Sequence, residues 1–404
     1  MPRARYVATL FLFVQPEMLF WSRLFWIPLH LLWSGLALGA SVLFRRGGTL
    51  VFTHYHDIDA DGRDQQMGPL VDSLIDSGAN LVEISRIPLG PAFLDACRLK
   101  RRLFISQAAL LVPAWLLSMG DTRRAARISR MTARCLLRLL RPRVLYLIDE
   151  SGSGQPLLRA ARSLGIRVVG IQHGDFADNP QYCAGPGFDR EPADTLCVWS
   201  SWYRDRLLEV SPVYTDCNVE VTGRLRYPDE PGSRTDTAGD AIRILVIGER
   251  GAAFWAAIDP FVQALTQCEE FLVDLRLHPS DVVRRTAAAS RSLVAALRDA
   301  DVVIGSGSSA LVEAIYWRRP VVVCALGQLG DPAGLVRDEL ALGCHNPADL
   351  GPLCANLNRP ERAEHCQNSH AMVWGDVDVD AVQEILAAGV SSRSSGGAPH
   401  AEIV

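Results

Sequence analysis

The chain has 404 residues, 49% of them apolar and 21% charged, with a formal net charge of −4. That length leaves room for two domains with full cores, and so small a negative charge argues against a nucleic-acid binder. The ten cysteines follow no CxxC or framework spacing, so they read as reduced thiols, as in the cytoplasm, and not as a disulfide scaffold.

The front end is apolar. From Met18 to Phe44 only Arg23 is charged and only His30 titrates near neutrality. A helix crosses a bilayer with ~20 apolar residues, so length permits a span. Arg3 and Arg5 before the run, and Arg45 and Arg46 after it, set no orientation. Pro28 interrupts the run, while Trp21, Trp26 and Trp33 suit an interfacial depth. Three placements stay open: a span, a helix in the membrane plane, or a buried helical pair. Residues 1–47 are expected to form a helical membrane-associated segment.

Next comes "TLVFTHYHDIDADGRD", residues 49–64. Its apolar start reads as a buried strand. Asp57, Asp59, Asp61 and Gly62 imitate a calcium loop, but the twelfth position is Gly68 where a bidentate glutamate is needed. No metal is expected here or elsewhere. The loop follows the first strand of the first domain and is expected to open into a cleft. His54, His56, Asp57 and Asp59 are therefore candidates for a base that takes a hydroxyl proton, with a solvated loop as the plain alternative.

Short apolar runs at 49–53, 79–84, 143–148, 166–171 and 195–199 alternate with helix-length patterns such as 67–78 and 153–165. Such alternation predicts a parallel sheet covered by helices. Between them, arginines at 123, 127, 130, 134, 138 and 141 fall at steps of three and four, which puts six guanidiniums on one helical stripe. Ile128, Met131, Cys135 and Leu139 are read as the apolar stripe opposite. The arginine stripe is either a solvated face or one turned to anionic lipid head groups. Asp149 and Glu150 follow one strand and His173, in "QHG", follows another; these could converge at one sheet edge.

Residues 226–240, rich in Gly, Pro, Asp and Thr, read as a linker. A second series of strands begins at 241–248 and continues at 271–277, 300–305 and 320–326. This makes two Rossmann-like domains, 48–225 and 241–388, and a polar tail, 389–404, expected to be disordered. In open parallel sheets, ligands bind beyond the carboxyl ends of the strands. There the third strand of the second series runs into "GSGSSALVEAIYWRRP". Gly305 and Gly307 let backbone approach a ligand, Ser306, Ser308 and Ser309 offer hydroxyls, and a helix N-terminus follows. This suits a phosphate. Glu313, one turn on, is placed to accept from a ribose hydroxyl. His278 in "RLHPS" could donate to a phosphate, and Gly248 with Gly251 frames Arg250, which could pair with a diphosphate.

"QHG", "VTGRLRYP", "RLHP" and "ADVVIGSGSSALVEAIYWRRPVVV" resemble the two-Rossmann-domain GT-B transferases of bacterial surface polysaccharides, over about residues 143–326. That group holds nucleotide-sugar glycosyltransferases and the CDP-glycerol glycerophosphotransferases. The resemblance implies that His278, Ser308 and Ser309 hold donor phosphates, Glu313 the donor ribose, and that His173 lies in the interdomain cleft. The polyol-phosphate branch carries an aspartate before the serine pair. Here stand Gly305, Ser306 and Gly307, which favours a sugar donor.

Together these features lead us to expect a metal-independent glycosyltransferase with no cofactor. It would sit on the cytoplasmic face of the inner membrane and move a sugar from a nucleotide-activated donor to a lipid-linked or glycan acceptor. The alternatives are a CDP-glycerol-type polyol-phosphate transferase, a nucleotide-sugar epimerase of the same fold, and a non-catalytic membrane scaffold.

Overall fold

A computed structural model of the chain describes residues 20–44, 47–54, 67–86, 104–108, 121–148, 154–172, 191–211, 213–223, 241–249, 251–278, 293–331, 334–357 and 363–374, with isolated positions between 97 and 118. Residues 1–19, the linker 226–240 and the tail 389–404 lie outside the described residues, as do the expectations made for them.

The chain opens with α1 (Phe20–Phe44) and then builds a first sheet from β1 (Thr49–His54), β2 (Leu81–Arg86), β3 (Phe104–Ser106), β4 (Val144–Leu147), β5 (Arg167–Ile171), β6 (Thr195–Val198) and β7 (Val219–Val221). Its helices are α2 (Gly68–Asp76), α3 (Thr122–Leu140), α4 (Gln155–Arg162) and α5 (Ser201–Val210). The strand order is β3-β2-β1-β4-β5-β6-β7, all parallel. The order reverses between β1 and β4, where a doubly wound sheet opens its crevice.

The second sheet uses β8 (Ile242–Ile247), β9 (Phe271–Arg276), β10 (Val302–Gly305), β11 (Val321–Cys324) and β12 (Leu342–Cys344), in the order β12-β11-β10-β8-β9, again parallel. Its reversal falls between β8 and β10. Helices α6 (Ala252–Thr266), α7 (Leu293–Asp299), α8 (Ser309–Tyr316), α9 (Leu326–Leu329) and α10 (Pro347–Leu357) belong to it, and α11 (Ala363–Trp374) closes the described chain.

Each sheet has its own core. Leu50, Phe52, Leu145 and Leu147 anchor the first; Ile244, Val246, Phe261 and Val322 anchor the second. A third cluster joins the two lobes, running from Leu196 and Val198 of β6 to Ile247 of β8 and Val303 of β10. Aromatic rings fill it. Trp199 stacks on Trp374 at 5.9 Å, and Tyr316 meets Trp374 edge-on at 5.3 Å. At its rim Arg206 pairs with Asp338 at 3.1 Å, and Trp202 Nε1 donates to the same carboxylate at 3.1 Å.

Two helices of the first lobe differ from expectation or refine it. α3 starts where Asp121 accepts from the N–H groups of Arg123 and Arg124, and ends at Arg141 in the left-handed region. Its arginines are exposed, as the spacing predicts. The apolar stripe proposed opposite them does not face the core: Met131, Cys135 and Leu139 are exposed and Ile128 only half-buried. The inward face is Ala125, Ser129, Ala133, Leu136, Leu137 and Leu140. Small side chains let α3 lie close to the sheet and to α4, so bulk alone misidentified the buried side.

α1 carries a stretch, Trp26–Phe44, long and apolar enough by length and composition to cross a membrane. One side of it is docked on the first lobe. Ser34 Oγ accepts from the N–H of Ser106 at 2.9 Å, and His30 Nδ1 lies 2.6 Å from Ser106 Oγ. Since β3 pairs on only one side, Ser34 satisfies a group on its open edge. Leu38 and Val42 of α1 pack into the same cluster as Leu136, Leu137 and Leu140 of α3, so the two helices are neighbours.

Candidate functional site

The reversal point of the second sheet collects most of the predicted donor residues. β10 ends at Gly305, whose position leaves little room: an added Cβ would meet Leu311 at 3.1 Å and the carbonyl of Ile247 at 3.3 Å. β8 ends before Gly248, where a Cβ would meet the Trp255 ring at 2.8 Å. Both glycines let adjoining strand ends close on each other.

Beyond Gly305 the chain turns through Ser306, which is buried, and Gly307, Ser308 and Ser309, which are half-exposed. The turn is thus reachable from outside. Ser308 is the N-cap of α8, and its Oγ accepts from Ala310 N. His278 is half-buried, two residues past the end of β9, the strand beside β8. Glu313 is enclosed, at 3% exposure, with its side chain turned into the protein one turn along α8. Arg250 lies outside the described residues.

One residue at this point was missed. Glu249, directly after Gly248, reaches across the reversal point, and its Oε1 accepts from Gly307 N at 2.5 Å. Burial pushes its carboxyl above the usual range, while the N–H groups of Gly307 and Ser308 pull it back down. The N–H groups of the turn therefore already face a carboxyl oxygen, supplied by the protein. A single glutamate in "IGERGA" carries no signal of this, because the contact spans 58 residues of sequence.

In the first sheet the predicted residues are less accessible to description. His54 is the last residue of β1, but its side chain is outside the described part, and so are His56, Asp57, Asp59, Asp149, Glu150 and His173. The strands leading to them are described. β1 and β4 are direct neighbours at the reversal point, paired from Thr49–Val144 to Phe52–Leu147. Residues 55–66 and 149–153 thus follow adjoining strand ends. Near the end of β1 lies a buried polar group that the sequence does not reveal. The Thr53 hydroxyl donates to Glu83 Oε1 at 2.6 Å and sits 3.1 Å from Ser85 Oγ. The glutamine of "QHG" is structural: Gln172 Oε1 accepts from Trp199 N at 2.9 Å, tying β5 to β6.

Two parallel sheets, each with a reversal point, are also found in known enzymes. The chain superposes on a UDP-GlcNAc 2-epimerase from Neisseria meningitidis, described in complex with UDP-GlcNAc, with a TM-score of 0.57 at 12% identity, covering 85% of this chain and 99% of that one. It superposes on CalG4, the calicheamicin glycosyltransferase, with a TM-score of 0.55 at 12% identity, covering 87% and 100%. The glycosyltransferase SnogD from Streptomyces nogalater gives 0.50 at 14% identity, covering 85% and 100%. The chain shares the two-lobed fold of these enzymes. The neighbours are glycosyltransferases and nucleotide-sugar epimerases of the GT-B type. No family profile and no curated protein sequence matches the chain.

Proposed function

We propose that the chain is a membrane-associated glycosyltransferase that takes a nucleotide-activated sugar and passes the sugar to a lipid-linked or glycan acceptor, in the making of a surface polysaccharide on the cytoplasmic face of the inner membrane. The observation that carries this is the turn at 306–309, half-exposed from Gly307 to Ser309, set at the reversal point of the second sheet with its N–H groups turned to a carboxylate. A site that holds a carboxyl oxygen in this way suits a phosphate oxygen. The donor's pyrophosphate would displace Glu249 and take the N–H groups of Gly307 and Ser308, with the Ser308 and Ser309 hydroxyls and the α8 dipole behind them.

In this reading the departing diphosphate is stabilised by fixed dipoles and His278, so the transfer needs neither metal nor cofactor. Arg250 would add a second cation. The acceptor hydroxyl would enter from the first lobe, and a base at the end of β1 or β4 would take its proton: His54, His56, Asp57, Asp59, Asp149, Glu150 or His173.

Calorimetric titration with UDP, CDP, GDP and dTDP tests the donor half. One nucleoside diphosphate is expected to bind, and His278→Ala and Ser308→Ala to weaken it at least tenfold. Unchanged binding in both variants overturns the assignment.

The epimerase reading has the support of the Neisseria neighbour, a UDP-GlcNAc 2-epimerase of the same fold. Incubation with a nucleotide sugar and no acceptor separates the two. An epimerase converts the sugar to its epimer under those conditions, and a transferase leaves its configuration unchanged.

A further inference from the structure

α1 is apolar on both sides. Its buried side mixes Trp26 and Ala37 with His30, Ser34 and Ser41, and its outer side holds leucines: Leu32 is 64% exposed, Leu36 62% and Leu43 76%. A helix facing water would carry its polar groups on the outer side. The inward polar groups are not idle, since Ser34 and His30 both engage Ser106 on the open edge of β3.

The neighbouring helix α3 also turns apolar side chains outward. The solvent side of α3 divides into two rows. One is apolar, Met131 with Leu139, and the other is the arginine row 123, 127, 130, 134 and 138. At 100° per residue the two rows adjoin along the outer face. Apolar side chains turned outward on two adjacent helices, with a line of guanidiniums beside those of α3, are the pattern of a surface that enters the head-group layer of an anionic bilayer.

We propose that α1 and α3 together form an in-plane seat on a bilayer rich in anionic phospholipid, and that α1 does not cross it. This rests on the membrane part of the reading above and not on its transfer chemistry. A crossing would take α1 off the lobe, place His30, Ser34 and Ser41 in hydrocarbon and strip the Ser106 N–H of its side-chain partner on the β3 edge. Lying flat, α1 keeps every one of these contacts, puts its leucines among acyl chains and brings the guanidiniums to the phosphates. A second copy of the chain fits the same face poorly, because a twofold contact would set one arginine row against another.

The test is flotation of the full chain with vesicles of phosphatidylcholine alone or with phosphatidylglycerol added. The expected result is binding to the anionic vesicles, weakened by 0.5 M salt (~3 to 4 Å screening) and released by alkaline carbonate without detergent. Leu32→Glu with Leu36→Glu, and separately Arg127→Glu with Arg134→Glu, are expected to lower the bound fraction at least tenfold with an unchanged circular-dichroism spectrum and unfolding midpoint. Leu272→Glu, an exposed leucine on β9, is the control and is expected to bind as the parent does. Carbonate-resistant binding means a span and overturns the seat while leaving the membrane reading in place. Binding that ignores both double variants places the contact elsewhere in the chain and overturns it too. No binding to either vesicle removes the seat and the membrane reading together, and nucleotide calorimetry on the same samples then stands or falls by itself.

Discussion

α1 and α8 are both apolar by composition, yet they meet their surroundings in opposite ways. α8 buries every residue from Ala310 to Tyr316, as a helix apolar on all sides does in a two-lobed core. α1 buries two serines and a histidine beside Trp26 and Ala37, and still turns leucines outward. Hydrophobicity by itself therefore says little about where a helix goes; the position of its few polar groups says more. In α8 the serines stand half-exposed at the N-terminus, and Glu313 is turned into the protein. In α1 the polar groups line the side that fastens to a sheet edge.

The largest expected effect is on α8. Leu311 is fully enclosed in the core that joins the lobes, so Leu311→Ala is expected to cost about 3 kcal/mol in urea unfolding. Leu36→Ala on the outer face of α1, measured alongside, is expected to change stability by no more than ~0.5 kcal/mol. Equal costs would break the contrast. On the inner face of α1, Ser34→Ala leaves the Ser106 N–H unpaired, and the expected loss is about 1–3 kcal/mol. A cost near zero would mean that α1 is not fastened there.

At the open end of α8, Glu249→Gln keeps an acceptor for Gly307 and removes the charge. Nucleoside diphosphate binding at pH 7 is expected to tighten by roughly three- to tenfold, up to about 1.4 kcal/mol, as read by calorimetry. Weaker binding would show that the carboxylate helps to hold the donor. The same variant has a pH signature. Because burial raises this carboxyl above the usual carboxylate range, the group's stability contribution is present at low pH and is lost as pH rises through its folded pKa. The variant is thus expected to gain stability over the parent as pH climbs from about 4.5, in paired thermal scans. The smallest effect concerns the cap: Ser308→Ala is expected to lower stability by about 1 kcal/mol, with urea unfolding as the readout.

The regular strands were legible because they are runs of four to six apolar residues between turn signals. The run 241–248 appears as Ile242–Ile247, and 166–171 as Arg167–Ile171. β3, β7 and β12 were not foreseen. Each has three residues, too few to show a period, and each exists because a neighbouring strand offers its edge. The serine-glycine turn was legible since local chemistry demands it: a strand, two glycines, a cap and a helix. Glu249 and the Thr53–Glu83–Ser85 group were not, because their partners come from other strands. The inward face of α3 was misread for a related reason. Its alanines and Ser129 are chosen by the closeness of the neighbouring surface, which leaves no mark in the helix's own pattern.

The aromatic cluster between the lobes has a bearing on turnover. Trp199, Tyr316 and Trp374 bind the ends of both sheets into one dry body, and parting the lobes like the covers of a book would tear that stack open to solvent. In the proposed reading, donor and product must then come and go without the lobes parting, and a variant that loosens this stack, such as Trp374→Ala, is expected to lower the unfolding midpoint of both lobes together.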